Sequence, residues 1–385
     1  MEKLLIIHNE YSNLGGEDIA VTEEVKHLEN YYNVKTLKFV NNIERPLIQY
    51  LSLITNKNKI STRKLIETLD SFKPDQVYIH NTWFKASIGI FDELSKRGIP
   101  IILKLHNFRY FCTRSFLIKN HVYVDNYCKA CGLNRSRFML FNKYFQESYL
   151  KSFFVLVYGK KYFKLLKNSQ TKVIVLTEFH KNFLLELGFD NSNIYVLPNR
   201  ISNSTYKEDK VKENSIVYAG RISREKGVHI VIEEFIGASL KNTKLHIIGE
   251  GPSLESLQNH YKKENIVFHG LKPNNEVKEM ISKAKAVVTG TLLYEGQPTL
   301  LSEASIQGIP SIFPDNGGIS QFFPDDYILK YNHSEVGSLL RKFKLLDSNK
   351  YNFQTLGEEN QIFIESKLNE EVLLQKFKEI INYSQ

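Results

Sequence analysis

The stretch Tyr218-Ala219-Gly220-Arg221-Ile222-Ser223-Arg224-Glu225-Lys226-Gly227 sets two cations, Arg221 and Lys226, five residues apart between two glycines. Such a turn suits a diphosphate, because phosphate oxygens are held by backbone N–H groups at a helix start and by fixed cations. Taken alone it is equally a surface turn with solvated charges. A second glycine turn, Ile247-Ile248-Gly249-Glu250-Gly251-Pro252, lacks the third glycine of a dinucleotide fingerprint. Its value lies in its place at the carboxyl end of a strand, where doubly wound sheets bind ligands. The third feature is Tyr294-Glu295-Gly296-Gln297-Pro298-Thr299-Leu300-Leu301-Ser302-Glu303-Ala304, with seven residues between two glutamates. Pro298 suits the first turn of a helix, so Glu295 falls in the loop before it and Glu303 more than one turn inside. Eight positions make about two helical turns, so both carboxylates can face one side and accept from vicinal hydroxyls of a ribose and a hexose. Asp315-Asn316-Gly317-Gly318 forms a further turn at a strand end.

Those turns need a sheet to hold them. The apolar run of residues 3–8, the polar stretch from Asn9 to Glu17 and the helix-like spacing from Ile19 to Leu28 read as strand, glycine loop and helix. Strand patterns recur at 76–80, 99–105, 173–176 and 194–199, with a helix over 178–187. Residues 203–214 are polar and almost without apolar side chains, as a linker is. Beyond them the alternation restarts, with strands over 215–219, 244–248, 266–268, 286–289 and 311–313. Helices are expected over 227–235, 254–260, 276–283 and 298–307, and an amphipathic one over about 371–383. Alternating strand and helix implies parallel sheets covered on both faces. At 385 residues two domains are expected. The pattern assigns 1–202 to the first, 215–365 to the second, and 366–385 to a last helix that can cross back to the first.

The formal charge of +9 is unevenly spread. Residues 1–200 carry 29 Lys and Arg against 18 Asp and Glu, whereas 201–385 carry 22 against 24. A basic half beside a near-neutral one suggests an anionic partner for the first domain, such as a membrane surface, a phosphorylated lipid or nucleic acid; a lysine-rich compositional bias is the plain alternative. The apolar run after Met1 is too short for a secretory signal, and no run approaches 18 apolar residues. Three cysteines make no disulfide framework. The expectation is a cytoplasmic protein.

In order, GRISREKG, IGEGP, EGQPTLLSEA and NGG resemble glycosyltransferase family 4, over roughly 100 residues. The resemblance implies an α/β chain of two Rossmann-like doubly wound domains facing across a cleft (GT-B), and a retaining transfer from a nucleotide-sugar donor. By that resemblance Arg221 and Lys226 hold the diphosphate, Glu303 the ribose and Glu295 the hexose. Gly220, Gly249 and Gly251 line the same donor site, and Gly296, Gln297, Pro298, Thr299 and Leu300 lie against sugar or phosphate. The likeness of the N-terminal half is looser. Asn13-Leu14-Gly15-Gly16-Glu17 matches the loop facing the donor phosphates, with Gly15 and Gly16 as its donor-binding members. His106, followed by Asn107, matches the family's histidine near the reacting sugar. A lone histidine ending a strand is otherwise more often structural. No catalytic base stands out, which fits a leaving phosphate oxygen that assists the incoming hydroxyl.

Cys112, Cys128 and Cys131 have the spacing C-x15-C-x2-C, which admits a structural zinc site if His121 or another group completes it, and equally admits reduced thiols. The expected chemistry requires no cofactor or metal. Residues 138–167 join many aromatics to six lysines, a pattern of an anionic-bilayer surface or of core helices with solvated lysines. The whole predicts transfer of a hexose or N-acetylhexosamine, from a UDP-sugar rather than GDP-mannose. The acceptor is a lipid-linked or oligosaccharide glycan of surface polysaccharide or lipopolysaccharide assembly, at the inner face of the cell membrane and with no nucleic-acid partner. Two alternatives remain: a GT-B-fold sugar-nucleotide epimerase, and a noncatalytic nucleotide-sugar-binding protein.

Overall fold

A computed structural model describes residues 1–10, 16–41, 57–108, 149–201, 212–348 and 350–382, with positions 52 and 55. Gly15, the three cysteines, positions 138–148 and residues 203–211 of the expected linker lie outside the described residues. The chain forms two compact units: the described residues up to Arg200 together with Glu370 onward, and those of the range 201–369.

The first unit runs β1 (Lys3–Glu10), α1 (Gly16–Leu28), β2 (Asn33–Val40), α2 (Lys59–Phe72), β3 (Gln76–Ile79), α3 (Gly89–Lys96), β4 (Ile101–Leu105), α4 (Tyr149–Asn168), β5 (Lys172–Val175), α5 (Glu178–Glu186) and β6 (Ile194–Val196). Its sheet has the order β2-β1-β3-β4-β5-β6, every pair parallel. Leu4 to Ile7, Val77 to Ile79 and Leu103 are at most 2 % exposed, as strands covered on both faces must be. Chain order reverses between β1 and β3, and a crevice opens at the carboxyl ends of strands at such a point. Ile7 pairs with Ile79, so His8 and His80 stand side by side at this edge.

The second unit runs β7 (Ser215–Ala219), α6 (Val228–Ala238), β8 (Lys244–Ile248), α7 (Leu254–His260), β9 (Ile266–Gly270), α8 (Asn274–Lys283), β10 (Ala286–Val288), α9 (Thr299–Ile306), β11 (Ser311–Pro314), β12 (Lys330–Tyr331), α10 (Ser338–Leu346) and α11 (Phe353–Lys367). The order β12-β11-β10-β7-β8-β9, again all parallel, is that of a dinucleotide-binding sheet, and its reversal lies between β7 and β10. The strands expected at 215–219 and 244–248 have those bounds, and the helix expected at 298–307 starts one residue later, with Pro298 outside it as the cap.

The last helix, α12 (Glu370–Asn382), packs within the first unit. Phe377 meets the rings of Tyr32 and Tyr78, and Lys172 donates to the Ile380 carbonyl. Glu370 pairs with Arg200 at 2.6 Å and with His27 at 3.0 Å. Four apolar positions, Leu373, Phe377, Ile380 and Ile381, are buried at helical spacing, so the amphipathic stripe has its core here.

Candidate active site

In the second unit the turn after β7 is built by close backbone packing. Gly220 N donates to Ile248 O at 3.0 Å, and Ile222 N to Glu250 O at 2.8 Å. This locks the two glycine turns of the sequence together at the ends of β7 and β8. Gly249 has φ +133°, and a Cβ there would sit 2.0 Å from the Gly220 carbonyl oxygen. Gly227, with φ +65°, is pressed against the Gly290 carbonyl oxygen at 1.8 Å from where a Cβ would lie, so the turns after β7 and β10 also touch. Only glycine fits both conditions, a left-handed φ and no room for a side chain.

Around this frame Lys226 Nζ lies 2.6 Å from Glu295 Oε1, and the Thr291 hydroxyl donates to the same oxygen at 2.9 Å. Thr291 is itself fixed, since His333 Nε2 stands 2.8 Å from its carbonyl oxygen. The Glu295 loop is tied to the turn after β11: Gly318 N donates to Glu295 O at 2.8 Å, and Asn316 Nδ2 to Leu293 O at 2.9 Å. The structure thus brings Gly220, Lys226, Gly249, Glu295 and the NGG turn into one connected cluster at the switch point. Arg221 is exposed, its carbonyl held by the Tyr218 hydroxyl at 3.0 Å. Gly251 follows on the same turn. Gly296, Gln297 and Pro298 are buried, while Thr299 is exposed and Leu300 half-buried at the start of α9.

The helical spacing expected to relate the two glutamates does not apply, because Glu295 precedes α9 by four residues and only Glu303 is helical. They are held by different lysines: Glu303 faces Lys278 of α8 at 3.6 Å, each side chain 15 % exposed. Burial raises the Glu303 pKa above the ordinary carboxylate value, and the Lys278 ammonium opposes that rise. Sequence reasoning missed Lys278, Thr291 and His333; their local sequences carry no pattern, and only the fold sets them beside the glutamates. A cavity of about 400 Å³ lined by Asp315, Lys330, Tyr331, Glu335 and Arg341 includes none of the expected donor residues.

In the first unit Gly16 opens α1, and Asn107 Nδ2 donates to Glu17 Oε2 at 3.1 Å, which ties the end of β4 to the start of that helix. His106 Nε2 lies 3.0 Å from His80 Nδ1, and burial holds both rings well below the ordinary imidazole pKa. Beneath them Lys104 Nζ bonds both Glu24 oxygens at 3.1 Å, and the Tyr78 hydroxyl donates to Glu24 at 2.9 Å. His8 pairs with Asp18 at 2.8 Å, both at most 2 % exposed. Among the described residues, no group of three or more His, Cys, Asp or Glu side chains is placed to hold a metal.

Cations beside glycine turns at one switch point, and carboxylates held by lysines, are what a phosphate-linked polyol needs. Residues 202–372 match the family model of glycosyl transferases group 1. The amylovoran biosynthesis glycosyltransferase AmsD of Erwinia amylovora is 25 % identical over 402 residues, covering 99 % of this chain and 100 % of its own. Sucrose-phosphate synthase from Thermosynechococcus elongatus superposes with a TM-score of 0.73 at 13 % identity, over 100 % of this chain and 99 % of the other. Anabaena Alr3699/HepE in complex with UDP and glucose gives 0.69 at 13 % identity, over 100 % of each. The chain is a glycosyltransferase: it carries the group 1 domain over 202–372, and its fold is GT-B.

Proposed function

We propose that the chain transfers a hexose or N-acetylhexosamine, with retention, from a nucleotide diphosphate sugar to a glycan acceptor. UDP-sugars are favoured over GDP-mannose. The observation that carries this is the cluster of Lys226, Thr291 and Glu295 on the two interlocked turns beside exposed Arg221. Arg221 and Lys226 take the diphosphate and stabilise the charge that grows on it as the glycosidic bond breaks. Glu295 then exchanges Lys226 for hexose hydroxyls, and Glu303 accepts from the ribose. The backbone of Gly220, Gly249 and Gly251 approaches the phosphates, and the segment Gly296 to Leu300 lies against the sugar. For the first unit the family likeness alone supplies the roles: Gly15 and Gly16 as donor-binding glycines and His106 as the sugar-facing histidine. No metal is required, so chelation leaves transfer unchanged.

The acceptor is a lipid-linked glycan in surface polysaccharide or lipopolysaccharide assembly. The relationship to an amylovoran biosynthesis enzyme supports this, as does the HepE complex with UDP for the donor base. A location at the inner face of the membrane is supported by the basic first half; α4 itself reads as a core helix, with Tyr158, Tyr162, Phe163 and Leu166 buried in the unit's core and Lys161, Lys164 and Lys167 exposed. Among the described residues no helix is long and apolar enough to cross a membrane. Incubating UDP- and GDP-sugars with the protein and a polyprenyl-diphosphate glycan tests the proposal. A glycosylated lipid is expected; an epimerised donor formed without acceptor contradicts it.

A further inference from the structure

Three neighbouring strands of the first unit carry histidines at or near their carboxyl ends: His8 near the end of β1 (Lys3–Glu10), His80 directly after β3, and His106 directly after β4. Two of them are joined. His80 Nδ1 and His106 Nε2 are 3.0 Å apart, with the rings stacked at 5.3 Å between centroids and 29° between planes. His80 is 4 % exposed, its ring against Tyr78 at 4.3 Å and edge-on to His8 at 6.2 Å. A bond between two imidazoles needs an N–H on one ring and a lone pair on the other, so the accepting ring is uncharged. The charged groups facing the pair are the Lys104 ammonium, shared with Glu24, and the His8–Asp18 pair. Burial comes first and the Lys104 charge adds to it in disfavouring protonation of either ring.

With Nε2 committed to His80, His106 has one nitrogen left. Its Nδ1, like Nε2 at the far side of the His80 ring, is shielded from solvent and has no hydrogen-bond partner among the described residues. Buried polar atoms are nearly always satisfied, so this atom is a place for a ligand group. An uncharged imidazole matches a hydroxyl better than a phosphate, which calls for cations.

We propose that His80 is the positioning residue for His106: it holds Nε2, fixes one uncharged tautomer, and presents Nδ1 to a hydroxyl of the donor sugar. The last clause rests on the proposed sugar-facing place of His106; the pairing itself does not.

Selective 15N labelling of histidine in the full chain, read by long-range 1H–15N correlation with His106→Phe for assignment, tests this. His106 is expected as one uncharged tautomer that does not titrate between pH 8 and 6. His80→Phe keeps an aromatic ring and removes the bond, so His106 should become a mixture of tautomers. His80→Asn, whose amide overlies the Nδ1 position, should restore the single tautomer. A mixed or titrating His106 in the natural protein overturns the proposal without need of any variant, as does a His80→Phe spectrum unchanged at His106. The probe for the ligand is whichever of UDP-glucose, UDP-galactose and UDP-N-acetylglucosamine raises the melting temperature, and it should shift the His106 Nδ1 resonance. A stabilising donor that leaves Nδ1 unmoved overturns the hydroxyl contact. If none of the three stabilises the protein, the UDP-sugar proposal is what fails, and the spectrum of the free protein still decides the pairing.

Discussion

Glu295 gathers two donors on one oxygen, Lys226 at 2.6 Å and Thr291 at 2.9 Å. Such a carboxylate is held in one orientation, and on the proposed assignment its truncation removes a contact to the sugar. Glu295→Ala is expected to lower kcat about 10²–10³-fold, the range for one electrostatic contact in a transition state, with an unchanged melting temperature; a loss under fivefold in transfer assays contradicts the assignment. Lys278 answers to a different readout. Burial pushes the Glu303 pKa up and Lys278 holds it down, so Lys278→Met lets it rise further. A protonated Glu303 accepts ribose hydroxyls less well, and ionisation returns as pH rises. Lys278→Met therefore raises the donor KM, a defect that shrinks as pH rises, whereas Lys278→Arg behaves as the natural protein. A KM defect that does not change with pH removes Lys278 from the donor site. Glu303 was visible in the sequence through its spacing from Glu295 and the family likeness. Lys278 was not, because a lysine amid Asn, Glu and Met on an amphipathic helix looks like any solvated charge until α8 is laid against α9.

The elements of the second unit were the most legible, since β7, β8 and β9 each run into or end on a glycine and a helix follows each before the next strand. Ser215–Ala219, Lys244–Ile248 and Leu254–His260 lie where the periodicity sets them. β2 passed unread because it is an edge strand whose exposed positions, Asn33, Lys35 and Lys38 among them, dilute the apolar signal. β12 is two residues long and has no period to read. The histidine pair is invisible for another reason: 26 residues separate His80 from His106, and only parallel pairing of β3 with β4 joins them. The turns carry a prediction of their own. Gly249→Ala forces a side chain to within 2.0 Å of a carbonyl oxygen at a left-handed φ. It should cost about 3 kcal/mol or more in chemical denaturation and abolish donor binding. Gly16→Ala meets nothing within 4 Å and should fold with normal stability. Equal stability of the two variants would mean that the interlocked turns do not hold the site.

At the scale of the molecule, histidines buried uncharged link folding to acid. Burial lowers the pKa of His80, His106, His229, His246, His269 and His333, and takes that of His180 down to about 3. Each binds its proton more weakly in the folded chain than in the unfolded one, where the value is about 6.5. Stability is therefore full above about pH 6.5 and lost as pH falls below it. Melting temperatures should be level from pH 8 to 7 and drop steeply between pH 6 and 5; a flat profile to pH 5 contradicts the burial of these rings. The uneven charge of the chain predicts binding to vesicles of anionic lipid that weakens as salt is raised from 0.05 to 0.5 M, read by co-sedimentation; binding that is equal on neutral vesicles contradicts a basic membrane face. The central claim is a nucleotide-sugar donor site in the second unit, and thermal shift with a panel of UDP- and GDP-sugars tests it most directly. A ligand at a hundredfold excess over Kd adds about 2.7 kcal/mol, or roughly 5 °C in a domain of this size. At least one UDP-sugar should give such a shift, lost in Arg221→Ala and Glu303→Ala; a protein stabilised by none of the panel contradicts the account.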